Sequence, residues 1–205
     1  MPAAYFQFMR IIPPARPKRD NAVLDAILEH YNLDLARANI IFIRSYYLDT
    51  MGEPGKGDVN IYDDAVFLIT PIVRESFNAN TEPSFPQKGH AVLNLGKYIF
   101  YRGLHKGRYP ALRPFPEGVK LGCVRNGKPS TCANTNIHRG GSKDSFDVVW
   151  SEGCLTIPDI QYEEWRARVW SEMDRLKQKM IDVVIVENRP TQHGQQIFDE
   201  SGKII

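Results

Sequence analysis

Helical periodicity is confined to two stretches of this chain, and that scarcity limits the folds it can adopt. Apolar residues recur at helical spacing only over 20–31 and 160–180. Short runs of β-branched and aromatic residues, the pattern of strands, occur elsewhere. These runs are 39–47, 65–70, 90–101, 119–124, a segment ending at Trp150, and 182–186. A parallel α/β sheet would need more helices between its strands. We therefore expect a mostly β (α+β) fold, a sandwich or small barrel, with two flanking helices.

The connections between these elements are predicted from their turn residues. Residues 71–89 contain three prolines and are expected to form a long surface connection. Residues 90–101 are expected to be a hairpin that turns at 94–96, where Asn and Gly favour a reversal of the chain. A polar tail is expected after the last strand-like run.

Chain length predicts one domain with additions rather than two independent domains. The 205 residues suffice to bury a full core. Residues 1–58 are expected to be an N-terminal extension, a helix plus a strand packed on the core. Residues 59–205 are expected to form the main domain, which ends in a helix and a strand.

Charge and hydropathy exclude some partners. A net charge of +2 is too small to indicate a nucleic-acid-binding protein. No apolar run approaches the roughly 20 residues that span a bilayer. The N-terminus is a poor secretory signal, because it lacks a basic start and its apolar stretch is broken at Arg10. We expect a protein that is made in the cytoplasm, has no membrane span, and reaches any other compartment without a cleaved signal.

The segment from Asn136 to Pro158 contains the residues that best indicate a function. It places His138 sixteen positions before Cys154, which follows a glycine in Ser-Glu-Gly-Cys. A thiol attacks carbonyls well only as thiolate, and imidazole is the side chain best suited to take its proton near neutral pH. Gly153 permits a sharp turn that exposes the sulfur and frees N–H groups for an oxyanion. The pattern predicts a cysteine enzyme of acyl transfer.

The other two cysteines leave three arrangements open. Cys123 and Cys132 can pair as a disulfide and leave Cys154 free, which would suit an oxidising compartment. They can equally be two unpaired small side chains near a hairpin. A zinc ion held by both of them with His138 and Cys154 is the third arrangement. The chain lacks the short C-x(2–4)-C pairs that structural zinc sites usually use.

Residues 137–158 resemble the motif of the YkuD-type L,D-transpeptidases, and the resemblance extends over roughly residues 60–158. That motif is a histidine and glycine, a spacer, and then Ser-x-Gly-Cys. Here Arg139 stands between His138 and Gly140, the spacer is somewhat short, and Thr156 stands where an arginine is frequent. These departures indicate a divergent branch, such as a phage protein or an effector delivered by a secretion machine. The implied fold is a β-sandwich.

The resemblance implies an activity on bacterial peptidoglycan without a cofactor or metal. Cys154 would attack the meso-diaminopimelate carbonyl of a stem tetrapeptide and expel D-alanine, and an amine or water would resolve the thioester. His138 would be the base, held by the carbonyl of Arg139. The N–H groups of Gly153 and Cys154 would bind the oxyanion, and the Ser151 hydroxyl would shape the turn.

Substrate binding is expected to need cations, because the stem peptide ends in carboxylates. The basic segment 102–113 and Arg139 supply them, with Arg108 and Arg139 as the candidate carboxylate ligands. A charged run is also what a solvated face looks like. The predicted substrate-binding residues are His105, Arg108, Tyr109, Gly140 and Trp150.

Two other functions compete with the enzyme. The inserted Arg139 and the missing arginine at 156 also suit a catalytically weak module that binds the cell wall, or a phage structural protein. The zinc arrangement described above would make a zinc-stapled domain. For the enzyme and for the wall-binding module, the expected partners are peptidoglycan stem peptides and a secretion-system or phage component.

Overall fold

The computed structural model describes residues 12, 13, 15–83, 89–141 and 151–205. Its helices are α1 (Asn21–His30) and α2 (Asp159–Arg175). Its strands are β1 (Asn39–Arg44), β2 (Asp64–Ile69), β3 (Arg74–Ala79), β4 (Ala91–Leu93), β5 (Gly96–His105), β6 (Tyr109–Pro114), β7 (Lys120–Arg125), β8 (Lys128–Ala133), β9 (Ile137–Gly140), β10 (Leu155–Pro158), β11 (Met180–Thr191) and β12 (Gly194–Phe198). The mostly β class with two helices is confirmed.

Most strands form one curved sheet that nearly closes into a barrel. Its order is β10-β9-β6-β5-β11-β1-β2-β3, with β12 paired to β11. The two end strands meet because the backbones of Asn80 and Thr156 exchange hydrogen bonds of 2.9 and 2.8 Å. Closure of this kind removes exposed strand edges. The parallel pairs are β1 with β11 and β9 with β10.

Two apolar clusters cover the opposite faces of the sheet. Every residue of β1 is buried. Ile40 and Phe42 pack into the cluster that includes Trp165 of α2, whereas Ile41 and Ile43 pack into the cluster that includes α1. Side chains alternate between the faces of a strand, so a strand covered on both sides reads as a continuous apolar run. The predicted 1–58 segment therefore contributes the helix α1, which packs against the sheet, and the strand β1, which lies inside it.

A second sheet, of order β4-β7-β8, is not paired with the barrel, but Leu93 and Leu121 pack in the apolar cluster that includes Trp165. The hairpin predicted over 90–101 is wrong, because β4 pairs with β7 while β5 pairs with β6 and β11. Cys123 of β7 lies opposite Ser130, two positions from Cys132 of β8, and a disulfide joins the two cysteines diagonally. This pairing excludes the zinc arrangement that uses both of them, and it excludes the unpaired one.

Other predicted boundaries also change. The surface connection predicted over 71–89 contains β3, whose apolar alternation is limited to Phe77 and Ala79. The second helix ends at Arg175, and Met180 begins β11. The polar tail contains β12, and the strand predicted to end at Trp150 lies outside the described residues. Among the described residues, neither helix has the length and apolar character needed to cross a bilayer.

A buried pair of carboxyls, Asp63 and Asp64, makes stability depend on pH. Asp64 accepts the N–H groups of Ser45 and Thr81, each at 2.6 Å, and lies near Arg44. Burial, and then the charge of Asp64, raise the pKa of Asp63 to about 9. Because this pKa is above its unfolded value, the associated stability is complete below about pH 4 and is lost as pH rises toward 9.

We expect Asp63→Asn to remove this loss, because an amide has no proton to release. Its carbonyl oxygen can still accept the Asp58 N–H that Asp63 holds at 2.8 Å. Between pH 5 and pH 8 the wild type should lose on the order of a few kcal/mol of stability that the variant keeps. Urea unfolding at pH 5 and pH 8 measures the difference, with the exposed Asp49→Asn as control. Equal pH dependence in wild type and Asp63→Asn would contradict the expectation.

Candidate active site

Parallel pairing of β9 and β10 brings the predicted histidine and cysteine together. His138 lies in β9 opposite Thr156, and Cys154 directly precedes β10. The Leu155 N–H donates to the carbonyl of Asn136 at 3.0 Å, which fixes the register at the start of the pair. Residues that are sixteen positions apart in sequence thus become neighbours on adjacent strands.

The turn before Cys154 requires a glycine. Gly153 has a φ of +143°, and a Cβ at this position would lie 2.6 Å from the backbone oxygen of Ala91. The Ser151 hydroxyl accepts the Gly153 N–H at 3.0 Å and donates to the carbonyl of Cys154 at 2.7 Å. Ser151 therefore braces the turn, as the resemblance implies.

Only one of the two predicted oxyanion donors is available. The Gly153 N–H is occupied by Ser151. In the part of the chain that the structure describes, the Cys154 N–H has no hydrogen-bond acceptor. The prediction that both N–H groups serve an oxyanion is therefore wrong for Gly153, because the serine that shapes the turn uses it.

His138 is held in one orientation. Its Nδ1 lies 2.5 Å from the carbonyl oxygen of Arg139 and 3.2 Å from the hydroxyl of Tyr109. A carbonyl can only accept, so Nδ1 must carry the proton and Nε2 must present its lone pair. His138 is 4% exposed. The contact with the Arg139 carbonyl is the one that the resemblance implies for the base.

A second histidine completes the cluster. The rings of His105 and His138 contact each other with centroids 4.0 Å apart and planes tilted by 35°. One nitrogen of each ring and the sulfur of Cys154 lie within 4.8 Å of one another. His105, predicted to bind substrate, therefore lies against the base itself.

Asn136 connects the members of this cluster, and the sequence analysis missed it. Its side-chain Nδ2 lies 2.9 Å from Nδ1 of His105, and its backbone N–H donates to the sulfur of Cys154 at 3.4 Å. Asn136 is two positions before His138, the spacing at which side chains share a face of an extended segment. That spacing could have indicated from the sequence that Asn136 lies near the site.

Burial keeps the cysteine and the histidine neutral in the free protein. Desolvation raises the pKa of Cys154 to about 11, although the Asn136 N–H opposes this. Desolvation, and then the neighbouring His105, lower the pKa of His138 to about 3. Burial also lowers the pKa of His105. The expected resting state is thus a neutral thiol, which donates to the carbonyl of Asn134 at 3.7 Å, near a neutral imidazole. The thiol proton must move to the imidazole as the sulfur attacks.

Alkylation of the free protein tests this protonation state. Cys154 is the only free thiol of the three cysteines, so iodoacetamide reports on it alone. Only the thiolate reacts, so below a pKa of about 11 the rate should rise close to tenfold per pH unit between pH 7 and 10. Intact-protein mass spectrometry at timed intervals measures it. A rate that is already maximal at pH 7 would contradict a neutral thiol.

The cluster forms part of the lining of a cavity of about 1030 Å³. The barrel contributes the two histidines, and the small sheet contributes Cys132, one of the two disulfide cysteines. The charged side chains of the lining are Lys106, Arg113, Arg125 and Glu152. Arg113 is paired with Glu117 at 3.0 Å. Lys106 and Arg125 against Glu152 therefore give the cavity a positive bias that favours anionic ligands.

The predicted carboxylate ligands do not line this cavity. Arg108 is exposed outside it. The Arg139 guanidinium lies over the ring of Tyr109, 4.9 Å from its centroid, and 3.4 Å from Oδ1 of Asp159. Arg113 belongs to the basic segment named above, whereas Arg125 arrives from β7, and nothing local in the sequence links that strand to the site.

The remaining predicted residues have other positions. Tyr109 contacts His138 through its hydroxyl instead of lining the cavity. Gly140 pairs with Pro158 at the end of β9 and is also outside the lining. Trp150 lies outside the described residues.

The chain was compared with models of protein families, with curated proteins and with solved structures, and none of the three comparisons found a match. What the site does is therefore inferred from its own residues.

Proposed function

We propose that this protein is a cysteine acyltransferase or hydrolase of the L,D-transpeptidase type that acts on stem peptides of bacterial peptidoglycan. One observation supports it above the others. His138 is oriented by the Arg139 carbonyl so that Nε2 keeps its lone pair, in a cluster with the sulfur of Cys154. A nucleophile, a base and a group that orients the base are the minimum set for this chemistry.

The proposed reaction proceeds through a thioester. As the sulfur of Cys154 attacks the carbonyl carbon of meso-diaminopimelate, Nε2 of His138 takes the thiol proton. The carbonyl oxygen becomes negatively charged and accepts a hydrogen bond from the Cys154 N–H. The imidazolium then gives its proton to the departing amine of D-alanine. Water would complete an L,D-carboxypeptidase reaction, and an amine would complete cross-linking or D-amino-acid exchange.

The charge of the cavity supports a carboxylate-rich substrate. Lys106 and Arg125 line the same cavity as the cluster, and Arg can bind a carboxylate through two parallel hydrogen bonds. Glu152 offers the opposite charge for the free amine of a diamino acid. A stem peptide has both kinds of group.

The disulfide supports action outside the reducing cytoplasm. A bond between Cys123 and Cys132 persists in oxidising compartments such as the periplasm. We therefore propose that the protein acts at the cell wall, delivered by a phage or secretion component. A YkuD-like arrangement of the sheets is part of the same proposal.

A wall-binding module with little turnover is the second candidate. The raised pKa of Cys154 and the lowered pKa of His138 favour it, because they make the thiolate scarce before substrate arrives. The cationic cavity would then retain the peptide without cleaving it.

Incubation with purified disaccharide tetrapeptide separates the two candidates. Wild-type protein should release D-alanine or form a cross-linked dimer, which mass spectrometry of the products detects. Cys154→Ala should form neither and should keep its binding to wall fragments. His193→Ala, an exposed change on the β11–β12 turn, is the matched control. Binding without any product from wild type would favour the second candidate, and equal product from Cys154→Ala would contradict the nucleophile.

A further inference from the structure

The residues around the sulfur are also a donor set for a soft divalent metal. His105 ends β5, His138 lies in β9, and Cys154 precedes β10, so three separate segments bring their donor atoms within 4.8 Å. Two imidazoles and a thiolate are ligands that Zn²⁺ prefers. In the described part of the chain, this is the one such group of three or more.

The hydrogen bond that holds His138 resembles one found at metal sites. Metal-binding histidines usually donate their other ring N–H to a carbonyl or carboxylate. Nδ1 of His138 does so toward the Arg139 carbonyl at 2.5 Å, which leaves Nε2 for a metal. This hydrogen bond involves neither His105 nor Cys154.

Asn136 provides an independent observation. Its Oδ1 is buried and has no hydrogen-bond partner, although the residue is only 3% exposed. A half-turn of the amide would put Oδ1 in place of Nδ2, 2.9 Å from Nδ1 of His105. Nδ1 would then donate to it, and Nε2 of His105 would be free to bind a metal. The change gives the orphaned oxygen a donor and moves Nδ2 into the place that the oxygen leaves.

Small side-chain rotations suffice to close the cluster on an ion. Zn–N bonds of about 2.0–2.1 Å and Zn–S bonds of about 2.3 Å put tetrahedral ligand atoms roughly 3.5 Å apart. The donor atoms already lie within 4.8 Å. The three donors line the cavity, so water from the cavity can take the fourth coordination position of the ion.

We propose that His105, His138 and Cys154 bind one Zn²⁺ reversibly, and that the bound ion blocks the sulfur. On binding, the S–H bond of Cys154 breaks, its proton passes to water, and an S–Zn bond forms with no change of oxidation state. Inhibition of acyl transfer follows only if the proposed function holds. The metal site itself does not depend on it.

Titration of metal-free protein with Zn²⁺ in calorimetry tests the site, with Co²⁺ as a spectroscopic substitute. We expect about one ion per chain, a thiolate-to-cobalt absorption band, and at least tenfold slower alkylation of Cys154 in excess Zn²⁺. His105→Gln should weaken Zn²⁺ binding by about 10–100-fold or more, whereas His193→Gln should not. Circular dichroism checks that each variant is folded. Prior alkylation of wild type should abolish the band, and this arm needs no variant.

The outcomes separate this inference from the proposed function. Zinc binding with no product from tetrapeptide would leave the metal site standing and contradict the enzyme. Product formation with no zinc binding, or with alkylation unaffected by Zn²⁺, would overturn the metal site alone. Binding that survives both His105→Gln and alkylation would also overturn it, since the ion would then lie elsewhere.

Discussion

Replacing His138 by glutamine should lower kcat/KM for tetrapeptide by about 10²–10⁴-fold, the range expected when a general base is removed. Glutamine keeps an amide N–H for the Arg139 carbonyl but has no basic nitrogen. Because both members of the resting pair are neutral, the enzyme has no stored thiolate to fall back on. The loss should therefore appear mainly in kcat.

The control for this substitution is His193→Gln. It changes an exposed histidine on the β11–β12 turn, which is not part of the site. It should keep wild-type kcat and KM. A His138→Gln variant that is folded and within threefold of wild type would remove the histidine from the proposed mechanism. A raised KM with unchanged kcat would indicate a binding role only.

Replacing Gly153 by alanine should cost on the order of 2–3 kcal/mol of unfolding free energy and at least 10²-fold in activity. The φ of +143° is one that residues with a Cβ rarely adopt, and the added methyl would lie 2.6 Å from the Ala91 carbonyl oxygen. The backbone must shift to relieve this overlap. A displacement of about 1 Å at the nucleophile is enough for a loss of that size.

Gly194→Ala is the matched control for Gly153→Ala. Gly194 has a φ of +97° on the β11–β12 turn, and a Cβ there would meet no atom within 4 Å. This variant should lose some stability and keep full activity. Urea unfolding and product formation, measured on both variants, separate backbone strain from displacement of the sulfur. Full activity in Gly153→Ala would show that the turn geometry does not position Cys154.

Local patterns predicted the elements of the fold better than their partners. The continuous apolar run at β1 and the periodic run at α1 are confirmed because burial on one or both faces imposes those patterns directly. The β4–β5 hairpin prediction is wrong because Asn94 to Gly96 reads locally as a tight turn. In the structure the chain passes there from one sheet to the other, and which strand a segment joins is decided by distant residues.

The sequence predicted the part of the candidate site that lies within the short segment 136–158. His138, Cys154 and the bracing Ser151 all lie within it, so their spacing was informative. The contact of His105 with His138 and the approach of Arg125 depend on how separate hairpins pack. Arg139 was misread as a substrate ligand because sequence alone does not reveal its contacts with Tyr109 and Asp159.

The most direct test of the central claim is to trap the thioester. Wild-type protein mixed with disaccharide tetrapeptide and quenched in acid should gain the mass of the substrate without its D-alanine. Peptide mapping should locate that mass on Cys154, and His138→Gln should accumulate far less of it. If wild type never carries the adduct and D-alanine is released equally by Cys154→Ala, then the sulfur of Cys154 is not the nucleophile.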